Sequence, residues 1–220
     1  MPEPVDSAVL TALQRYDTPT VCNAIETFEV RPHDEGFAGM DVHCIFPDLG
    51  VIVGYAATGT IRSRGEGSYR AQSLISHVGS VPAPRIVVVQ DLDAPEIVGS
   101  LWGEVNATAF TALGCIGVVT DGSVRDLEPV HALGFQLFAR GVGVSHGYVR
   151  VESAGEPVTV AGLTVRPWDL IHADQHGVVL VPHEIAAEIP AAADRIISEE
   201  RDLIAWIRSP EFRAEELHDE

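Results

Sequence analysis

Two continuous apolar runs constrain the fold of this chain most strongly. Residues 85–90 read RIVVVQ and residues 114–120 read GCIGVVT. Such β-branched runs are typical of strands that are buried on both faces of a sheet. A helical pattern from about Gly103 to Leu113 separates the two runs. This alternation of strand, helix and strand indicates an α/β fold.

Other segments extend the pattern on both sides. Asp17, Thr18 and Pro19 form a helix start, with a capping side chain followed by proline in the first turn. Residues 51–60 and 135–140 are predicted strands, 65–79 a loop leading into a helix, and 127–134 a short helix closed by Gly134. After residue 147 four short strand patterns follow without an intervening helix: YVRVE, PVTVAGLTVRP, DLIHAD and GVVLVP.

The chain ends in a helical pattern from about His183 to Arg208, with a predicted break near Pro190. Because strands alternate with helices in the middle and cluster later, we expect a mixed rather than a purely parallel sheet. Neither a linker nor a repeat divides the sequence, so residues 1–220 are predicted to form a single domain. Its core should run from about residue 10 to 210, and residues 211–220 should be a frayed tail.

Composition limits the classes of function. Hydrophobic residues make up 46% and charged residues 21% of the chain, as in globular proteins. No apolar run approaches the ~20 residues of a membrane helix, and the first residues lack the pattern of a signal peptide, so we expect a cytoplasmic protein without a membrane partner. The net charge of -18 argues against nucleic acid as a partner, since nucleic-acid binders need a basic face.

All 14 basic residues are arginine, and the chain contains no lysine. Schiff-base chemistry, anchoring of pyridoxal phosphate and a phosphate-loop lysine are therefore excluded. Any activation of a substrate carbonyl must come from a metal ion, from arginine or from backbone amides. Cys22, Cys44 and Cys115 are odd in number and form no CxxC pair, so we expect reduced, buried cysteines rather than disulfides or a zinc site.

Arg125 and Asp126 follow the second apolar run directly, after an Asp121-Gly122 turn. Ligands of open α/β sheets gather outside the carboxyl ends of the strands, where this pair is expected. A simpler interpretation is that Asp126 caps the next helix and Arg125 is a surface charge. The motif by itself leaves both interpretations open.

Gly103 precedes a helical pattern, which places backbone N–H groups at a helix N-terminus where a carboxylate can bind. Glu104 favours the helix dipole but repels an anion, so its side chain should turn aside or orient a water molecule. A plain helix start explains the same residues. Gly-Glu alone is weak evidence for a site.

Several histidine-containing segments are weaker candidates. His172, Asp174 and His176 alternate and could hold zinc or iron on one strand face, but a polar hairpin is the favoured interpretation. Residues 141–147, GVGVSHG, have the glycines of a phosphate loop without its spacing. No GxSxG elbow marks a serine hydrolase. Asp121, His131 and His146 are possible supporting groups without a decisive signal.

The segment LWGEVNATAFTALGCIGVVTDGSVRD resembles the Gly-Glu plus Arg-Asp signature of the class II 4-hydroxy-4-methyl-2-oxoglutarate aldolases, which share their fold with the regulators of ribonuclease activity A (RraA). The 21 residues between Gly103 and Arg125 make the spacing fairly specific. DTPTVCNAIE and PVTVAGLTVRPWDLIHADQHGVVLVP are also similar to family segments, so the resemblance spans about residues 10–210.

The resemblance implies a mixed-sheet β/β/α sandwich of the swivelling phosphohistidine-domain type, assembled as a homotrimer or as a hexamer of two trimers. It also implies the site residues. Gly103, Glu104, Val105 and Asn106 would form a loop whose amides hold the substrate carboxylate, and Arg125 would contact the keto or enolate oxygen. Asp126 would hold Mg2+ or Mn2+, completed by Glu199 or Glu200 of a neighbouring subunit.

Three positions depart from the family pattern. Pro129 stands where an acidic residue is common, Asn23 replaces Asp, and Asn106 occupies an apolar place. These departures bear on substrate identity. The chemistry that the resemblance implies is cleavage of a 4-hydroxy-2-oxo acid to pyruvate, in which a metal ion and Arg would stabilise the enolate in place of lysine. Oxaloacetate decarboxylation passes through the same enolate and is an expected secondary activity. The alternative is a non-catalytic, acidic regulator that binds a ribonuclease.

Overall fold

The computed structural model describes residues 3–67 and 71–217, and a mixed sheet lies at the centre of the molecule. Its strands follow the order β1-β7-β5-β3-β2-β12-β13, and β9 also pairs with β2. The strands are β1 His43–Cys44, β2 Ile52–Arg62, β3 Arg85–Asp91, β4 Ser100–Trp102, β5 Cys115–Thr120, β6 Ser123–Val124, β7 Gln136–Ala139, β8 Gly141–Val142, β9 Arg150–Ala154, β10 Val158–Val160, β11 Leu163–Val165, β12 Leu170–Asp174 and β13 Gly177–Val181.

Six α-helices connect or flank these strands within the described residues. They are α1 Ser7–Leu13, α2 Thr18–Glu26, α3 Gln72–Ser80, α4 Glu104–Ala112, α5 Leu127–Ala132 and α6 Ile189–Ile207, with 3-10 turns at Pro47–Leu49 and Ala214–Glu216. The predicted start of α2 is confirmed: the Asp17 carboxylate accepts a hydrogen bond from the backbone N–H of Thr20, and Pro19 lies in the first turn.

The long strand β2 makes the sheet mixed. On one side it pairs in parallel with β3, and β3, β5 and β7 continue the parallel arrangement. On the other side its first half pairs antiparallel with β12 and its second half antiparallel with β9. The expected mixed sheet in a single α/β domain is therefore confirmed.

The two faces of the sheet bury different partners. Val87 and Val89 belong to the larger core beneath the helices, whereas Ile86 and Val88 face a smaller core that includes β10 and β11. These two strands form an antiparallel hairpin over that second face. The central strands are apolar at every position because both faces are covered.

A second, three-stranded parallel sheet extends the carboxyl ends of the central strands. Its order is β4-β6-β8, where β6 follows β5 and β8 follows β7 along the chain. Each of these strands has only two or three residues. They carry the chain past the end of the large sheet and position the side chains described below.

Three predictions about the elements need correction or completion. The helical pattern predicted from about His183 becomes a helix only at Ile189: residues 183–188 form turns, and Pro190 lies in the first turn of α6, where its missing N–H costs nothing. All three cysteines are free, but only Cys115 is buried, and Cys22 and Cys44 are half-buried. Of the predicted frayed tail, residues 218–220 lie outside the described residues, as do residues 68–70 of the predicted loop. Among the helices described, none combines the length and the apolar character needed to cross a membrane.

Candidate functional site

Arg125 and Asp126 emerge where β6 ends beside β4. The backbone N–H of Arg125 donates to the carbonyl of Trp102 (3.0 Å), so the pair lies next to the chain that enters α4. Ser100 and Ser123, which face each other across the two strands, have their hydroxyl oxygens 2.7 Å apart. The two sequence segments singled out above, around Gly103 and Arg125, are thus brought together.

The local helix-cap interpretation of Asp126 is wrong. Asp126 precedes α5, but its backbone is left-handed (φ 56°, ψ 49°) and its side chain caps no N–H group of that helix. Its Oδ2 atom instead accepts a hydrogen bond from the backbone N–H of Glu104, at the start of α4 (3.1 Å). A left-handed backbone at an Asp residue costs about 1 kcal/mol or more of conformational free energy. Such strain concentrates at functional sites.

Gly103 is required by this arrangement because the carboxylate lies against it. A Cβ atom at Gly103 would be 2.4 Å from Oδ2 of Asp126 and 3.2 Å from both Cγ and Nε of Arg125. The φ of Gly103 is -158°, which any residue adopts, so the constraint is steric and not conformational.

Arg125 and Asp126 contact each other only loosely. Nε of Arg125 is 3.6 Å from Oδ2 of Asp126, and the two side chains are 33% and 39% exposed. An exposed ion pair of this length contributes little to stability. The Arg125 side chain also lines a cleft of about 400 Å³ together with Gly67, Ser100, Leu101, Asn106, His146, Gly147, Tyr148 and Val149. Arg125 is therefore placed to act on a molecule in the cleft, with Asp126 beside it but not among the lining residues.

The predicted carboxylate-binding loop is the first turn of α4. The helix begins at Glu104, so Glu104, Val105 and Asn106 are its first three residues and Gly103 is the cap position. N–H groups of a first turn have no acceptor within their own helix. Glu104 and Val105 are exposed, and the Asn106 side chain donates to the carbonyl of Leu101 (2.5 Å). The turn offers backbone donors and the positive end of a helix dipole.

A second segment of the cleft lining comes from residues 146–149, of which the sequence singled out only His146, as a possible supporting group. The carbonyl of Ser145 accepts from the N–H of Ser100 (2.8 Å), and the N–H of Tyr148 donates to the carbonyl of Ser63 (2.9 Å). These bonds hold the segment between β4 and the end of β2. His146 and Tyr148 are exposed and line the cleft. Only the glycines of GVGVSHG signalled an unusual backbone.

The segment that contains His172, Asp174 and His176 forms the polar hairpin that the sequence favoured over a zinc or iron site. His172 is fully buried, with Nδ1 3.0 Å from the hydroxyl of Thr18, and burial lowers its pKa. The Asp174 carboxylate accepts from the N–H groups of Thr18 (2.9 Å) and His176 (2.8 Å). Burial opposes ionisation of Asp174, but these donors outweigh it and lower the pKa. Through its contacts with Thr18, the segment connects the start of α2 to the hairpin β12–β13.

The other candidates lie apart from the cleft lining. His131 pairs through Nε2 with Oδ2 of Asp48 (2.6 Å) and stacks edge-on against Phe46. Asp121 is buried, and burial raises its pKa while its Oδ1 accepts from the N–H of Asp91 (2.7 Å). Glu199 and Glu200 are exposed on α6, whose main contacts are with α1 and α2.

Asp126 is suited to a cation that needs few protein ligands. Both contacts of its carboxylate use Oδ2, and within the described residues Oδ1 has no partner. The described part of the chain contains no group of three or more His, Cys, Asp or Glu side chains arranged to hold a metal. Mg2+ commonly takes one or two carboxylates together with waters and substrate oxygens, so the donor set fits Mg2+ or Mn2+ and not a zinc cage.

Comparison with known proteins identifies relatives. The family model described as RraA-like, Aldolase/RraA, matches residues 18–180. An uncharacterized protein of Methanocaldococcus jannaschii is 33% identical over 54% of this chain and 56% of its own length. A protein of Halalkalibacterium halodurans named "Putative 4-hydroxy-4-methyl-2-oxoglutarate aldolase" is 35% identical over 32% of this chain and 34% of its own. The matches span less than two thirds of the length of these curated relatives, and 18% of protein DlpA of Legionella pneumophila.

Solved structures show the same fold. Streptomyces coelicolor RraAS2, described as an unusual member of the RNase ES inhibitor RraA protein family, aligns with a TM-score of 0.70 over 94% of this chain and all of its own, at 22% identity. An uncharacterized protein of Pseudomonas syringae aligns with a TM-score of 0.72 over 94% of this chain and 92% of its own, at 25% identity.

Proposed function

Because the chain belongs to the RraA-like family, which includes aldolases and RraA proteins, we propose that it is a divalent-metal-dependent lyase that cleaves a 4-hydroxy-2-oxo acid such as 4-hydroxy-4-methyl-2-oxoglutarate to pyruvate. One observation carries the proposal. Asp126 joins the start of α4 to Arg125, through its bond to the Glu104 N–H and its approach to the guanidinium, and Arg125 and Asn106 line the cleft. An enzyme without lysine needs such a group of donors to handle an enolate.

Each residue has a chemical role in this proposal. The N–H groups of Val105 and Asn106, at the positive end of α4, bind the carboxylate at C1 of the substrate. Arg125 donates to the keto oxygen at C2 and stabilises the negative charge that develops there as the C3–C4 bond breaks. Its partial exposure leaves it able to reach into the cleft. Gly103 keeps space beside the carboxylate of Asp126.

In this proposal Asp126 would hold Mg2+ or Mn2+, at least partly through waters, while its Oδ2 remains bonded to the Glu104 N–H. When bound, the metal ion supplies Lewis-acid polarisation of the substrate oxygens. The same donors stabilise the enolate that forms when oxaloacetate loses CO2, so oxaloacetate decarboxylation is the proposed secondary activity.

We further propose that the chain assembles as a homotrimer or a hexamer of two trimers. The second half of α6 supports assembly, because Ile197, Leu203, Ile204 and Ile207 remain exposed on it. Glu199 or Glu200 on this helix would reach the Asp126 site of a neighbour. The remaining proposals are the swivelling phosphohistidine type of sandwich, one domain over residues 1–220 with its core at about 10–210, and a cytoplasmic location.

The test is a coupled assay of pyruvate release from 4-hydroxy-4-methyl-2-oxoglutarate and from oxaloacetate, with Mg2+ or Mn2+ and with chelator. Metal-dependent pyruvate is the expected result, and its absence with both compounds would refute the proposal. Arg125→Ala should abolish turnover at unchanged thermal stability. Arg166→Ala, which removes an exposed arginine outside the cleft lining, is the matched control and should retain activity.

A non-catalytic regulator of a ribonuclease is the second candidate, favoured by the net charge of -18, which suits docking to a basic segment. It predicts a complex with a ribonuclease E-type protein that weakens as salt is raised. Pull-downs across a salt titration measure this directly. Arg125→Ala should leave such binding intact, so the same variant separates the two functions.

A further inference from the structure

His146 contributes a side chain to the cleft that the proposed mechanism leaves unused. It lines the cleft together with Arg125 and is exposed. Its Nδ1 is 2.7 Å from the carbonyl oxygen of Gly147. A carbonyl oxygen can only accept, so in the neutral ring Nδ1 carries the proton and donates it to this bond. Nε2 is then an unprotonated acceptor.

The backbone under His146 is held tightly, which fixes where its ring can go. The Val149 N–H donates to the His146 carbonyl (3.1 Å), and Gly99 lies so close that a Cβ atom there would be 2.3 Å from the His146 carbonyl oxygen. Gly147 has a left-handed φ of 53°, and a Cβ atom on it would be 2.8 Å from the carbonyl oxygen of Ser63. Two glycines therefore permit a close approach that presents His146 on a rigid support.

We propose that His146 is a catalytic residue of this cleft and accepts the hydroxyl proton of the 4-hydroxy-2-oxo acid, an inference that rests on the proposed lyase function. The O–H bond at C4 breaks and the proton moves to Nε2. As the C4 carbonyl forms, the C3–C4 bond breaks and its electron pair becomes the enolate across C2 and C3, with the charge on the C2 oxygen beside Arg125. A proton from water at C3 then gives pyruvate, and the hydroxide that remains takes the proton from Nε2, which restores water and the neutral imidazole.

The assignment predicts a difference between two substrates. Cleavage of a 4-hydroxy acid requires a base for the hydroxyl proton. Oxaloacetate has no such hydroxyl, because its leaving group is CO2, so its decarboxylation uses the same enolate donors without the base. Replacing His146 should therefore slow cleavage of the 4-hydroxy acid and leave decarboxylation of oxaloacetate unchanged.

The experiment compares His146→Asn and His146→Gln with the unmodified protein on both substrates. The Asn amide can still donate to the Gly147 carbonyl, and the Gln amide fills more of the ring's length, yet neither amide is a base. We expect kcat/KM for 4-hydroxy-4-methyl-2-oxoglutarate to fall by about 10²–10⁴-fold, the usual contribution of a general base, with oxaloacetate decarboxylation within about twofold of the original. His33→Gln, at a side chain 69% exposed and outside the cleft lining, is the control and should change neither rate.

The outcomes are distinguishable. An equal loss on both substrates, or no loss on either, from a variant with unchanged thermal stability would overturn the role of His146 while leaving the lyase function standing. Absence of turnover of both compounds by the unmodified protein would overturn the lyase function and this role together.

Discussion

Replacing Gly103 by alanine tests whether the position of the Asp126 carboxylate matters. The added Cβ would be 2.4 Å from Oδ2, while real Cβ atoms come no closer than about 3.0 Å and pack at 3.4 Å or more. The carboxylate must therefore retreat by about 0.6 to 1 Å. We expect its hydrogen bond to the Glu104 N–H, now 3.1 Å, to lengthen or break as the carboxylate moves.

The expected effects differ in size for stability and for activity. A hydrogen bond to a charged group contributes about 1.5–3 kcal/mol, and because the Asp126 side chain is 39% exposed we expect a loss near or below the lower value, about 1 kcal/mol. A displacement of about 1 Å at catalytic groups can cost about 100-fold in rate. Gly103→Ala should therefore retain its fold and lose most of its lyase activity.

Urea unfolding measures the first effect and the coupled pyruvate assay the second. Gly141→Ala is the matched control, because a Cβ atom there would have no neighbour within 4 Å. Full activity and unchanged stability of Gly103→Ala would refute the reasoning, since the carboxylate would then be free to move without consequence.

Three further predictions concern carboxylates. Asp126→Asn keeps an oxygen for the Glu104 N–H but removes the charge, so stability should change by less than about 1 kcal/mol while kcat/KM falls by about 10²-fold or more in the pyruvate assay. Asp174→Ala leaves the N–H groups of Thr18 and His176 without their acceptor, and urea unfolding should show a loss of about 2 kcal/mol, against no change for the exposed Asp34→Ala. Burial raises the pKa of Asp91 from 3.8 to about 6 in the folded protein, so the folded state binds this proton more tightly and loses stability as pH rises from about 3.8 to 6. Urea unfolding should show Asp91→Asn gaining up to about 3 kcal/mol relative to the parent protein between pH 4 and 7, and a pH-independent difference would contradict the raised pKa.

The sequence was informative where a pattern extends over many residues. The runs at 85–90 and 114–120 predicted β3 and β5 because strands covered on both faces must be apolar throughout. The capped start of α2 was predicted because the Asp17 carboxylate and the Thr20 N–H that donates to it are three residues apart. In contrast, β4, β6 and β8 are too short to show a periodic pattern of hydrophobic residues.

The site was predicted in position but not in its connections. Asp126 directly precedes α5, and the sequence alone predicts that its carboxylate caps that helix. Its actual donor, the Glu104 N–H, is 22 residues earlier in the chain and comes close only because β4 and β6 pair. His146 was a candidate from the sequence, but Tyr148 was missed for the same reason, since its contact with Ser63 joins distant segments.

The contact between Gly103 and Asp126 also restricts how relatives of this chain can diverge. Glycine at 103 keeps the Asp126 carboxylate in place, because a Cβ atom there would be 2.4 Å from Oδ2. A chain that replaced Asp126 by glycine would relieve the left-handed backbone and remove this shortest contact, leaving those to Cγ and Nε of Arg125 at 3.2 Å, so a small side chain at 103 would fit more easily. The two positions should therefore change in a fixed order across evolution, with the acid lost before the glycine, and a side chain at 103 would mark a relative that has already abandoned the carboxylate.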